Sequence, residues 1–142
     1  MTEMKKLALL LLTVIVVALT SCSVDDDGSN YYLEVLPVTS FTVPDTLVYN
    51  QPAEIKLKYK RPSDCYFYSG IYYEKNNNTR VIGIQSSVLQ SDKCVPYTEE
   101  KIVDASFNFV ATGPGPYTFK FYKGEDENGK NIFEEVTIPV TY

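Results

Sequence analysis

The chain of 142 residues has no histidine and no tryptophan, only three cysteines, and fewer basic residues than acidic ones, 13 Lys+Arg against 18 Asp+Glu. Each shortage excludes something. Without histidine there is no Ser-His-Asp triad, no Cys-His dyad and no His-ligated zinc. A net charge of −5 supplies no basic face to neutralise phosphates, so nucleic acid is not an expected partner. The missing tryptophan weakens a glycan-binding platform. No apolar run is long enough to span a bilayer: the longest, Leu7 to Thr20, falls short of the roughly 20 residues a helix needs. Preceded by Lys5 and Lys6 and followed by small residues, it reads as the h-region of an export signal over 1–21.

The run ends in Leu19-Thr20-Ser21-Cys22, which resembles the lipobox of bacterial lipoproteins. That resemblance implies cleavage before Cys22, diacylation of its thiol and acylation of the new amino group. At about 0.8 kcal/mol per buried CH₂, two or three acyl chains anchor a protein without a spanning helix. Residues 22–30 then form an acidic tether, in which Asp25, Asp26 and Asp27 repel one another while Gly28 and Ser29 add freedom. An acidic cluster just behind the lipidated Cys is similar to the export signal of Bacteroidota lipoproteins. It implies an outer-membrane protein facing the cell exterior, with the periplasmic face as the alternative.

If Cys22 carries lipid, Cys65 and Cys94 remain as an even pair in an oxidising compartment. A disulfide between them closes a loop of about 30 residues, worth roughly 3–4 kcal/mol in the chain-entropy model. Two buried free thiols are the alternative.

From Tyr31 to Tyr142 the hydrophobic pattern has period two. Ile55, Leu57 and Tyr59 alternate with Glu54, Lys56 and Lys58; Val103, Ala105, Phe107 and Phe109 alternate with polar residues; so do Tyr117, Phe119 and Phe121, and Val136, Ile138 and Val140. Less regular strands are expected at Tyr32–Val38, Thr46–Tyr49, Cys65–Tyr73 and Arg80–Leu89. Turn residues separate them, among them Asn76-Asn77-Asn78, Gly113-Pro114-Gly115-Pro116 and Asn128-Gly129. Pro139 lacks an N–H and places the last strand at a sheet edge or on a bulge. Seven or eight strands over residues 31–142 predict one all-β domain, an antiparallel β-sandwich. The Gly/Pro turn followed by Tyr117-Thr118-Phe119 resembles the tyrosine corner of immunoglobulin-like sandwiches, with Phe119 and Leu57 where antibody domains carry their disulfide. By that resemblance Cys65–Cys94 lies elsewhere, tying the start of strand C to the segment before strand E. The whole chain resembles small immunoglobulin-like lipoproteins of Bacteroidota, a likeness that brings no functional residues with it.

Candidate chemistry is sparse. In Gly124-Glu125-Asp126-Glu127-Asn128-Gly129-Lys130, Asp126 and Asn128 are weak metal candidates, since Gly124 stands where an EF-hand needs its first Asp. A β-hairpin turn explains the same residues better. Glu134 and Glu135, adjacent on a strand, point to opposite faces, and Asp64, Asp92 and Glu99-Glu100 are read as turn residues, so no acid/base pair emerges. No serine sits in a Gly-x-Ser-x-Gly elbow, and nothing implies a cofactor. The surplus is tyrosine, 12 in all. In Tyr66-Phe67-Tyr68-Ser69-Gly70-Ile71-Tyr72-Tyr73 strict alternation puts Tyr66, Tyr68 and Tyr72 on one face, a candidate ligand face for a protein or glycan if Phe67 faces the core. Tyrosine is also a strong strand former that half-buries on any sheet. Asp45-Thr46-Leu47 resembles an O-glycosylation motif of Bacteroidota, with Thr46 as acceptor. Asn77-Asn78-Thr79 matches the N-glycosylation pattern but reads more simply as a surface turn. Together these readings point to a lipid-anchored, non-catalytic binding or adhesion accessory; a structural subunit of an envelope complex is the alternative.

Overall fold

The computed structural model describes residues 30–142. The export signal, Cys22 and Asp25, Asp26 and Asp27 lie outside the described residues. The rest is all-β, with ten strands in chain order: β1 (Tyr31–Leu36), β2 (Val38–Thr42), β3 (Leu47–Val48), β4 (Pro52–Ser63), β5 (Tyr66–Asn76), β6 (Thr79–Leu89), β7 (Pro96–Val110), β8 (Tyr117–Glu125), β9 (Asn131–Ile138) and β10 (Val140–Thr141). A five-stranded sheet contains β5, β6, β1, β8 and β9; a three-stranded sheet has the order β2-β4-β7; β3 and β10 form a separate pair.

The expectation of seven or eight antiparallel strands is corrected in number and in direction. Two prolines account for the extra strands. Pro37 cannot donate to a ladder, and the chain changes sheet there: Leu36 pairs with Ile84 of β6, whereas Val38 pairs with Tyr59 of β4. Pro139 does the same between β9, paired with β8, and β10, which runs parallel to β3. A second parallel pairing joins β6 to β8, with Thr79 opposite Thr118 and Ile82 opposite Phe121. Strand β7 also starts earlier than its alternation implies, so Glu99 and Glu100 are strand rather than turn residues.

The alternating residues fill the space between the two larger sheets. Ile55, Leu57 and Tyr59 of β4 share one core with Ile82 and Ile84 of β6 and with Tyr117, Phe119 and Phe121 of β8. Phe119 and Phe121 are wholly buried, each contributing about 1.5–3 kcal/mol. Across the layers, Phe41 of β2 stacks on Phe121 at 3.8 Å, and Phe109 of β7 meets Phe119 edge-on at 5.0 Å. The turn before β8 is pinned by the Tyr117 hydroxyl, which accepts a hydrogen bond from the Gly113 N–H at 3.0 Å. Asn78 clasps the same turn by donating to the carbonyls of Pro114 and Pro116. Cys65 and Cys94 are joined in a disulfide that ties the start of β5 to the segment before β7.

Candidate functional site

The two outer sheet faces differ in kind. On the three-stranded sheet, lysines from β4 meet acids from β7: Lys58–Asp104 at 2.8 Å and Lys60–Glu100 at 3.0 Å. These exposed pairs contribute little stability, and they make this a solvated face. The outer face of the five-stranded sheet instead carries a groove of about 740 Å³, within the range of small-ligand and peptide recognition sites.

The groove exists because two strands share one edge of β6. β1 occupies it opposite residues 84–89 and β8 occupies it opposite residues 79–82. Past Phe121, β8 has no free stretch of β6 to pair with, and among the described residues its remainder is held by β9 alone. A register shift between Tyr122 and Gly124, with Gly124 at φ +107°, marks the departure. The gap between β1 and the end of β8 is the groove. Its apolar wall is Leu33, Val35 and Pro37 on one side, and its aromatic groups are Tyr72, Tyr122 and Phe133. Beneath these side chains Gly83 is buried, and a methyl group there would sit 2.5 Å from Val35 Cγ1 and 3.7 Å from both Tyr72 and Tyr122. Only glycine lets Val35 lie across this point of β6.

Polar groups complete the groove. Glu74 accepts a hydrogen bond from the Tyr72 hydroxyl at 3.2 Å, and this bond, with burial second, holds the Tyr72 phenol above its ordinary ionisation range. Burial, followed by the charges of Glu125 and Glu34, does the same for Tyr122. Both phenols are neutral near pH 7, and the single O–H of Tyr72 is already donated to Glu74. Glu125 and Asn131, cross-strand partners, line the far end. Glu34 of β1, opposite Ser86, sends its carboxylate to the other face of the sheet, where it accepts from Tyr66 at 3.0 Å and, more weakly, Tyr32 at 3.4 Å. Burial first, then this carboxylate, pushes the Tyr66 phenol well up. Beside the groove, Lys120 sits 5.1 Å over the Phe133 ring while paired with Glu135 at 2.8 Å. No lysine or arginine is among the lining residues.

The tyrosines expected on one face are not together. A bulge between Tyr68 and Gly70, with Gly70 at φ +137°, inserts one residue and reverses the alternation. Tyr66 and Tyr68 pair with Val88 and Ser86, whose side chains are buried toward the core, whereas Tyr72 pairs with Gly83 on the outer face. Tyr66 packs against the core, Tyr68 reaches Tyr59 across the layers at 6.2 Å, and Phe67, the residue expected inside, is exposed. Of the three, only Tyr72 belongs to the groove. Strict alternation misses Tyr122, Phe133 and Gly83 because their convergence depends on β1 and β8 sharing an edge.

The weaker candidates are also placed. Asp126 folds its own turn, its carboxylate accepting from the N–H groups of Asn128 at 2.8 Å and Lys130 at 2.9 Å. Glu134 and Glu135 pair separately with Lys123 and Lys120. Among the described residues the one trio of potential metal ligands is Asp64, Cys65 and Cys94, whose sulfurs are bonded to each other. Thr46 is exposed immediately before buried Leu47, and Asn77 lies in the exposed β5–β6 turn. No family model, no curated protein and no solved structure matches the chain.

Proposed function

We propose that the protein is a lipid-anchored binding or adhesion accessory with an immunoglobulin-like sandwich, held at the outer membrane through acylated Cys22 and facing the cell exterior. The groove on the five-stranded sheet is its ligand face. One observation carries this reading: the outer face of the five-stranded sheet gathers Tyr72, Tyr122 and Phe133 in one groove whose described lining residues include no lysine or arginine. Aromatic rings with neutral hydroxyls bind by area and by directed hydrogen bonds, which requires no catalytic group. The Tyr117–Gly113 bond supports the immunoglobulin-like part of the reading, and the parallel β6–β8 pairing is where the chain departs from that pattern.

The test has two parts. Mass spectrometry of the mature protein is expected to show acyl mass on Cys22, and a Cys22→Ala variant is expected to leave the membrane; an unmodified Cys22 refutes the anchor. Glycan and peptide arrays probed with the full chain are expected to give signals that a Tyr72→Ala/Phe133→Ala variant loses. Signals retained by that variant would place binding elsewhere.

A structural subunit of an envelope complex is the second reading, favoured by β5. Among the described residues this eleven-residue edge strand pairs with β6 alone, and it exposes Phe67, Tyr68 and Tyr73. A stable complex recovered by cross-linking through β5 would favour it over the groove.

A further inference from the structure

Resting on the groove as the ligand face, we infer that its occupant is an extended peptide segment bearing lysine or arginine, which adds as a strand between β1 and β8.

Two unpaired backbone edges carry the shape of the argument. β1 is bonded to β6 along one edge, and among the described residues its other edge has no strand partner. Residues 122–125 of β8 are bonded to β9 on one side, and their other side has left β6. Both free edges border the groove, which is lined by Leu33, Glu34 and Val35 of β1 and by Tyr122, Gly124 and Glu125 of β8, and which closes at the Pro37 end, where a methyl group on Gly124 would sit 3.6 Å from Pro37 Cγ. Unsatisfied N–H and C=O groups on two sides of a groove match an extended backbone, whose main-chain hydrogen bonds supply affinity. The free edge of β1 spans six residues, so the segment it accommodates is about six residues, or about 20 Å, long.

Charge decides the side chains. Among the described residues the groove has acidic lining residues and no basic one. Glu74 and Glu125 meet no lysine or arginine among the described residues, in contrast to the paired acids of the opposite sheet and of β9. A cation between them also lies among the aromatic rings of Tyr72 and Tyr122, and Lys120 over Phe133 shows a cation–π contact beside the same groove.

The experiment is isothermal titration of the full chain, in a neutral detergent, with a six-residue blocked peptide alternating valine with lysine and arginine. Parallel arms use the same peptide with glutamate in place of the cations, spermidine, and an array of neutral oligosaccharides. The basic peptide is expected to bind, to weaken at least tenfold against a Glu74→Gln/Glu125→Gln variant, and to slow amide exchange at alternate residues of β1. Equal binding by that variant or by the glutamate peptide overturns the inference. Spermidine binding as tightly as the peptide overturns the strand part, leaving a small-cation site. Oligosaccharide binding that Tyr72→Ala/Phe133→Ala abolishes, with the peptide silent, overturns the inference but leaves the groove as a binding face. Silence in every arm overturns both.

Discussion

Replacing Gly83 by alanine tests the geometry on which the groove depends. A methyl group at this position falls 2.5 Å from Val35 Cγ1, far inside van der Waals contact, and Val35 is a short β-branched side chain with little freedom to withdraw. Overpacking of this kind costs about 1–3 kcal/mol. Removing a glycine from a strand interior returns about 0.5–1 kcal/mol. The expected net loss is about 0.5–2 kcal/mol, read as a fall in the urea midpoint at constant slope or as a drop in Tm of about 2–8 °C. The control is Val35→Ala. If the cost arises from this one contact, the Gly83→Ala/Val35→Ala double variant is more stable than the sum of the singles predicts, with a coupling of about 1–2 kcal/mol. A Gly83→Ala variant as stable as the parent, or singles that merely add, would refute the close approach of β1 to β6 and with it the placement of Val35 in the groove wall.

Other perturbations have defined outcomes. Separating Cys65 from Cys94 by a double Ser variant releases a loop of 29 residues and is expected to cost about 3.6 kcal/mol, a Tm loss of about 15 °C; a loss below about 1 kcal/mol contradicts the loop-entropy account. Tyr117→Phe leaves the Gly113 N–H without its acceptor and is expected to cost about 1–2 kcal/mol in urea unfolding, with an unchanged midpoint refuting that role. Tyr66 ionises later in the folded chain than its ordinary value near 10, because burial and the Glu34 carboxylate both favour the neutral phenol. The stability linked to it is therefore complete below pH 10 and is lost as the pH rises further. Ultraviolet titration is expected to resolve late-ionising tyrosines released on alkaline unfolding, with Glu34→Gln advancing the onset; simultaneous ionisation of all tyrosines near 10 would contradict this.

The strands with one wet face were legible because burial repeats every second residue, as in Ile55-Lys56-Leu57-Lys58-Tyr59, where the expected residues are the buried ones. The disulfide was legible from counting, and the β8–β9 hairpin from Asn128-Gly129. What alternation could not convey was a change of phase or of sheet. Gly70 inside a strand pattern was the available sign of a bulge, and it separates Tyr72 from Tyr66 and Tyr68. Pro37 and Pro139 were likewise the available signs of sheet changes. The groove had no local sign, because Val35, Gly83 and Tyr122 come from three strands whose meeting depends on a parallel pairing between β6 and β8. Its Tyr122 and Phe133 are cross-strand partners only through a hairpin register that the chain shows nowhere in its spacing.

The most direct measurement places a photo-reactive benzophenone side chain at Tyr122, in the groove, and separately at Ser106, on the charge-laced face, in cells of the native host. The account predicts cross-linked adducts from position 122 that a Glu74→Gln/Glu125→Gln background diminishes, and none from position 106. Adducts from position 106 alone, or equally from both, would contradict the groove as the ligand face.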